Sequence, residues 1–513
     1  MILALVAVLV FPFQANIPSG VGIGMPEQEM GDSRGVEKWT VLSYMNGEGD
    51  LEKFITGDLN EMEQIGSSDS VDIVVQIDLG DGRNQDPLET WTETRRYHVE
   101  HHPTDGIGST RLDGVGSLPA LGEVDMDDPE SLREFLEWGL TNYPADHYII
   151  AIEGHGGGPA DGLMLDPSSS GSDKKMYAYE MGEAIRSAID NTIGVPVDII
   201  SFDICWMGMA EAAAEIMDHS RYMVGSFDEI PGAGWPYDKC LRRILNDTSL
   251  PLKQRLTGVI EEFMDHYDPE GGEPYISLAA IDLKEFQDRL LPPLAVLGEE
   301  LFFSDPQYNE IYDSLMPLID NPRDKDDNEW DRYIDLYQFS ELLSMDQRVP
   351  LRVREAASGV IKSEDQVLIY SDGGSNHPSS SRLFGIYYPT IRNQQNEYSP
   401  LILSDITSWD ELAALRVEEL VIEALCVNWT DPNPGSIRFE LKTTTPSLVN
   451  KVELQTIFNG IQQNDSIIGT GGLYAKTLDV SGFGSIQYRY LVTGKYGNVI
   501  EYPPDGFSEA RFE

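Results

Sequence analysis

Apolar runs alternate with helix-periodic segments along the first half of the chain. KWTVLSYM (38–45), VDIVVQIDLG (71–80), HYIIAIE (147–153), VDIISFD (197–203) and the start of RYMVGSFDEIPGAGWPYD (221–238) have the near-continuous apolar character of strands buried on both faces. Between them, LEKFITGDLNEMEQI (51–65), AYEMGEAIRSAI (178–189) and MAEAAAEIMDH (209–219) read as helices. Another helix is expected within 122–143. Asp128–Pro129–Glu130 opens it with acidic residues in the first turn, and Phe135, Trp138 and Leu140 form its apolar side. TWTETRRYHVEH (90–101) alternates like an arm of an antiparallel hairpin. Repeated strand–helix–strand order predicts an α/β fold, a mostly parallel sheet with helices on both faces.

The pattern then changes. Residues 249–296 read as mainly helical, and 320–343 as a charged loop followed by an aromatic helix. QVLIYSD (366–372) and SRLFGIYYPT (381–390) read as strands closing the same sheet, and Ser408 as the cap of a helix over 408–415. Beyond about 430 the helical pattern stops. Short strands such as IRFELKTTT and KVELQTIFN follow, with a turn at Asn459–Gly460, and 431–513 is expected to be a small β-sandwich-like domain.

A chain of 513 residues needs two or three domains, and 41% hydrophobic residues suffice for a large core. Asp and Glu total 87 against 36 Lys and Arg, a formal charge of −51. Such a surface repels phosphate backbones, so nucleic acid is excluded as a partner, and it suits solubility in salt. Residues 1–13, MILALVAVLVFPF, are too short to span a bilayer; with QANIPSG they read as a signal peptide over 1–20, followed by a linker or propeptide over 21–37. No later run is long enough for a transmembrane anchor. The protein is therefore expected to be secreted or held at the cell surface. The cysteines are Cys205, Cys240 and Cys426. They are too few for a disulfide framework; Cys240 and Cys426 are read as one bridge or as buried apolar residues.

Chemistry concentrates at two strand ends. Cys205 follows VDIISFD, and His155 follows HYIIAIE in a GHGGG loop. In parallel sheets functional groups gather at such carboxyl ends. A thiol and an imidazole brought together there suit nucleophilic catalysis of acyl transfer. The backbone N–H groups of Gly156 and Cys205 are candidates for holding the oxyanion. The other histidines stand apart: His98, His101 and His102 lie in a polar hairpin, His147 opens a strand, and His219, His266 and His377 have no nearby constellation in the sequence.

WTVLSYMNGEGDLE (39–52), HYIIAIEGHGGG (147–158), SFDICWMGMAE (201–211), MVGSFDEIPGAGWPY (223–237) and FGIYYP (384–389) carry a resemblance in consistent order to the clostripain-like cysteine peptidases, family C11, relatives of gingipain, legumain and caspase. The resemblance implies a caspase-like three-layer sandwich, a peptidase region over 38–430 with its catalytic core in 38–240, and a dyad of Cys205 and His155. It implies an S1 pocket containing Asp203 and cleavage of proteins after Arg or Lys through an acyl-enzyme. A carboxylate there would pair with a basic P1 side chain. Asp228 and Glu229 are read as a second acidic wall or as surface charge, Trp235 as an apolar side of the cleft or as core. Trp206 after the cysteine and Glu153–Gly154 before the histidine depart from the family pattern. Members often mature by cleavage between the two strands, which points to Lys174 and Lys175. Several need calcium; Asp161, Asp166 and Asp173 offer hard oxygen ligands, although their spacing matches no dedicated calcium loop. The C-terminal domain would position substrate or attach the enzyme to a surface. The competing expectation is a catalytically weak extracellular binding or adhesion protein on the same fold.

Overall fold

The computed structural model describes residues 38–412, apart from 48, 81–87, 117–118, 165, 167–174, 269–274, 323–332, 389–397, 399, 408 and 411, and beyond them the strands between 423 and 512. The expected signal peptide and linker, Asp173, Lys174 and the Ser408 cap lie outside the described residues. In chain order the strands of the first part are β1 (Trp39–Asn46), β2 (Val71–Asp78), β3 (Arg95–His98), β4 (Thr110–Arg111), β5 (His147–Glu153), β6 (Val197–Asp203), β7 (Ser220–Gly225), β8 (Ser277–Asp282), β9 (Tyr333–Asp335), β10 (Leu368–Gly373) and β11 (Gly385–Tyr387).

A nine-stranded sheet runs β10-β8-β7-β6-β5-β1-β2-β3-β4. Its five central strands, β7 to β2, are parallel; the pairs at either end are antiparallel. From β1 the chain moves to β2 on one side, and β5 then docks on the other. The strand order therefore reverses between β1 and β5, and a crevice opens beyond their carboxyl ends.

Alternation along these strands supplies two cores. Val41, Met45, Ile73, Ile77, Ile149 and Ile199 face one side, against α1 (Glu52–Glu63). Leu42, Tyr44, Val74, Ile150, Ile200 and Phe202 face the other, against α2 (Pro129–Asn142), α3 (Ala178–Asn191) and α4 (Ala210–Ile216). Two further helices, α5 (Tyr237–Asn246) and α6 (Leu252–Tyr267), complete the α1 side. Each large side chain buried in these layers contributes about 1.5–3 kcal/mol, so helices on both faces are obligatory for a sheet apolar on both. The Asp128 side chain caps α2 by accepting from Glu130 N–H, as Asp128–Pro129–Glu130 predicts.

In the second half, 249–296 is mainly helical as read, and one reading is corrected. Within that helical span SLAAID forms β8; its alanines carry a helix preference that burial between neighbouring strands overrides. The two late strands do not close one sheet. β10 joins the main sheet beside β8, whereas β11 pairs with β9 in a separate two-stranded sheet. Beyond 412 two antiparallel sheets follow, as expected of a β-sandwich-like module. Strands Val449–Phe458 and Ile461–Ile467 pair in register across Asn459–Gly460, a pair of residues that lies outside the described ones. Strand Glu423–Cys426 already belongs to these sheets, ahead of the expected boundary at 430. Cys240 is a free buried thiol packed against α6, so no Cys240–Cys426 bridge forms. Among the described residues no helix is long and apolar enough to cross a membrane.

Candidate active site

A cleft of about 310 Å³ opens at the β1/β5 switch point. The loop after β1 supplies Asp50 and Leu51; α1 supplies Phe54, Ile55 and Asp58. β5 ends in Glu153, Gly154 and His155, β6 in Asp203 with Cys205 just beyond, and the loop after β7 adds Glu229 and Ile230. The two reactive residues thus share one cavity. β5 and β6 pair in parallel with Glu153 opposite Asp203. Each acid precedes its reactive residue by one intervening position: Glu153–Gly154–His155 and Asp203–Ile204–Cys205.

The half-exposed imidazole of His155 contacts Asp50 through Nε2 at 2.7 Å. Asp50 has no counterpart in the sequence reading; only the approach of the β1 loop to the ends of β5 and β6 makes it part of the site. The sulfur of Cys205 accepts the N–H of Ile230 at 3.3 Å. Burial pushes its thiol up to about 12; Glu229 and Asp203 push the same way, and the Ile230 N–H opposes them.

The backbone around this pair is tightly specified. A Cβ on Gly156 would lie 2.4 Å from Ile204 Cγ2, so only glycine fits where the His155 loop crosses the β6 end. Flanking hydrogen bonds run from Met164 N–H to His155 O and from Gly157 N–H to Gly162 O, leaving Gly156 N–H outside that ladder. Trp206 takes a left-handed conformation, φ 57°, which turns the chain sharply after Cys205, and its N–H donates to Asp228 O at 3.0 Å.

Below Cys205 and His155 the cleft has an acidic floor. One oxygen each of Asp58, Glu153 and Asp203 lies within 4.8 Å of the others, and all three residues are buried. Asp203 Oδ2 accepts Trp235 N–H at 2.7 Å and the Tyr237 hydroxyl at 3.2 Å. Ser43 Oγ donates to Glu153 Oε1 and the Tyr237 hydroxyl also acts on this carboxyl, while Glu153 Oε2 is buried with no hydrogen-bond partner among the described residues. Burial raises the Asp203 carboxyl to about 7; burial and the neighbouring Asp203 raise Glu153 to about 8. Asp58 is held well above its ordinary range by burial, then by Glu153 and Asp203. Glu153 and Asp58 were missed as pocket residues. The signal for Asp58 was present, since it shares the i, i+3, i+4, i+7 face with Ile55, Leu59 and Met62, where an apolar residue belongs.

The remaining sequence candidates fall as follows. Glu229 lines the cleft. Asp228 does not. It is fully buried, with Oδ2 at 3.0 Å from Nε2 of His377, whose Nδ1 is 2.8 Å from Oδ2 of Asp320. His377, which lacked a constellation in the sequence, is thus clamped between two carboxylates from distant segments. Trp235 is a core residue stacked on Tyr237; its contribution to the site is the backbone N–H given to Asp203. Lys175 lies over the Tyr177 ring. Asp166 is buried and clusters with Asp78 and Glu123, one oxygen of each within 4.8 Å, whereas Asp161 sits apart in the loop after His155.

A model of the Clostripain family matches residues 43–417, most of the chain. The chain belongs to the clostripain family of cysteine peptidases. Clostripain of Hathewaya histolytica is 25% identical over 415 residues, 71% of this chain and 76% of that protein. The X-ray structure of a secreted C11 cysteine protease from Bacteroides thetaiotaomicron, in complex with an irreversible peptide inhibitor, is 16% identical. It covers 73% of this chain and 99% of its own, with a TM-score of 0.51, and shares the fold. An inactive zymogen C11 protease from Parabacteroides distasonis is 17% identical over 75% of this chain and 99% of its own, with a TM-score of 0.48. As a cysteine peptidase of this family the protein acts on proteins or peptides, and the central sheet with helices on both faces is the family's α/β architecture.

Proposed function

We propose that the protein is an endopeptidase that cleaves after Arg or Lys, with Cys205 as nucleophile and His155 as general base and acid. The observation that carries this reading is the acidic floor beneath Cys205, which suits a cationic P1 side chain and disfavours an acidic one. Phe54, Ile55 and Ile276 would flank the apolar stem of that side chain. On binding, the Cys205 proton passes to His155 and the sulfur attacks the scissile carbonyl carbon. The N–H groups of Gly156 and Cys205 would donate to the resulting oxyanion. The imidazolium then protonates the leaving amine as the C–N bond breaks, leaving a thioester that water hydrolyses. Asp50 would hold the imidazole and stabilise its protonated form.

Export is part of this reading, supported by the apolar N-terminus and by the secreted C11 relative. So is maturation at Lys174 or Lys175, with the C-terminal sheets engaging substrate or a surface. Calcium fits the chain best at Asp78, Glu123 and Asp166, an all-carboxylate donor set with hard oxygens already gathered. A cation held there would tie the end of β2 to the loops carrying Glu123 and Asp166; no step of the chemistry uses it.

The test is fluorophore release from peptides with Arg, Lys, Asp, Asn or Leu at P1, using wild type and Cys205→Ala. Arg or Lys turnover lost in the variant is expected. Preference for another P1 residue would keep the dyad and overturn the specificity. No Cys205-dependent turnover from folded, processed protein would favour the binding or adhesion reading.

A further inference from the structure

We propose that Asp58 and Glu153 are specificity-determining residues that act jointly with Asp203 to bind the guanidinium of a P1 arginine. The inference rests on the basic-P1 reading above and deepens it from one carboxylate to three.

The three acids come from three elements, α1, β5 and β6, and converge on one end of the cleft. The β5/β6 register places Glu153 directly opposite Asp203, and α1 brings Asp58 over the pair. Gly234 closes the floor from behind, at φ 62°. A Cβ there would lie 2.6 Å from Asp203 Oδ2 and 3.0 Å from Asp58 Oδ2. The protein's own donors satisfy this cluster only in part. Trp235 N–H serves Asp203, the Tyr237 hydroxyl is shared between Asp203 and Glu153, Ser43 serves Glu153 Oε1, and Glu153 Oε2 is a buried acceptor with no partner among the described residues. Among the described residues, no cation is among the groups that act on the three carboxyls.

Carboxyls gathered this closely out of water cannot all be ionised, and an unserved acceptor among them is costly. A guanidinium resolves both problems. Its planar N–H groups diverge, so separate nitrogens can reach carboxyls supplied by different elements, and its charge lets the acids ionise together. An ammonium presents its donors from a single nitrogen and spans less of the cluster. The floor therefore favours Arg over Lys, and both over a neutral side chain of similar shape.

The experiment compares kcat/KM for matched peptides with Arg, Lys or citrulline at P1, using wild type, Glu153→Gln and Asp58→Asn. Active enzyme is counted by titrating Cys205 with an electrophile carrying a neutral P1 group, and folding is checked by thermal unfolding. Citrulline keeps the size of arginine and removes its charge. Each lost charge-assisted contact should lower the Arg-to-citrulline ratio about 10- to 100-fold. Two variants on different elements guard against one that misfolds, and a ratio is insensitive to the fraction folded. Ratios within twofold of wild type in both variants would overturn the proposal while leaving the basic-P1 reading intact. A wild type that does not separate Arg from citrulline would overturn both.

Discussion

The clamp on His377 yields a stability prediction whose size varies with pH. Its ring lies between Asp228 and Asp320 at 3.0 and 2.8 Å, and all three side chains are at most 5% exposed. Burial alone would lower its proton affinity, but the two carboxylates overcome that and raise it from 6.5 to about 10. A group that binds its proton more tightly when folded stabilises the fold fully below its unfolded pKa and loses that contribution as pH rises through the folded one. Between 6.5 and 10 the native chain holds a proton that the unfolded chain does not. Linkage puts the contribution at about 4 kcal/mol at pH 7 and about 1 kcal/mol at pH 9. Direct removal of one partner from a buried ion pair costs a comparable ~3–5 kcal/mol. For a cooperative unit of roughly 370 residues, 4 kcal/mol corresponds to about 5 °C in Tm. His377→Ala, placed in a Cys205→Ala background to prevent autolysis, should therefore unfold about 5 °C lower at pH 7 and only ~1–2 °C lower at pH 9. Calorimetry across that range checks it. A Tm difference that is the same at pH 7 and pH 9, or below 1 °C at pH 7, would refute the account. The loss should also reach the candidate active site, because Asp228 O holds the N–H of Trp206, next to Cys205.

Three further outcomes are expected. With its thiol raised to about 12, substrate-free Cys205 should be alkylated by iodoacetamide at a rate that climbs about tenfold per pH unit from 7 to 10; a plateau below pH 8, followed on the Cys205 peptide by mass spectrometry, would mean a preformed thiolate–imidazolium pair. Asp203 and Glu153, raised to about 7 and 8, bind protons in the native state that the unfolded chain has released above about pH 4, so they make stability fall as pH rises from about 4 to 8. Glu153→Gln should flatten the fall in Tm between pH 5 and 8 relative to wild type, and parallel curves would contradict that assignment. Removing calcium with a chelator should lower Tm, added calcium should restore it, and Asp166→Asn should blunt the response; a Tm indifferent to calcium would remove that site from consideration.

The parts of the molecule that could be read from the sequence are those whose signal is local. Apolar strand runs fixed the parallel centre, and a cysteine and a histidine at two of their ends marked the cleft that both residues line. What could not be read depends on contacts between distant segments. His377 gains its meaning only when the loop after β7 and the segment carrying Asp320 close around it. Asp228 and Trp235, adjacent to genuine cleft residues in sequence, turn inward because the loop after β7 alternates between cleft and core. β8 was hidden by alanines, whose propensity is helical but whose size suits a crowded interior strand. Asp58 and Glu153 occupy an intermediate position. Each breaks an apolar pattern, one on a helix face and one at a strand end, and such breaks mark function more often than error.

The paired arrangement on β5 and β6 has a mechanical consequence. Each strand carries a buried acid and, two residues on, a histidine or a cysteine, with the acids locked in register by the sheet. On the proposed roles, recognition and reactivity are therefore not mounted on separate bodies that must swing together. Any shear of β5 against β6 that opened the floor would displace thiol and imidazole by the same amount. A substituted acid, by contrast, changes what is gripped without lengthening or shortening either strand. Such a scaffold can exchange one diet for another by single codon changes while its reactive pair stays in place.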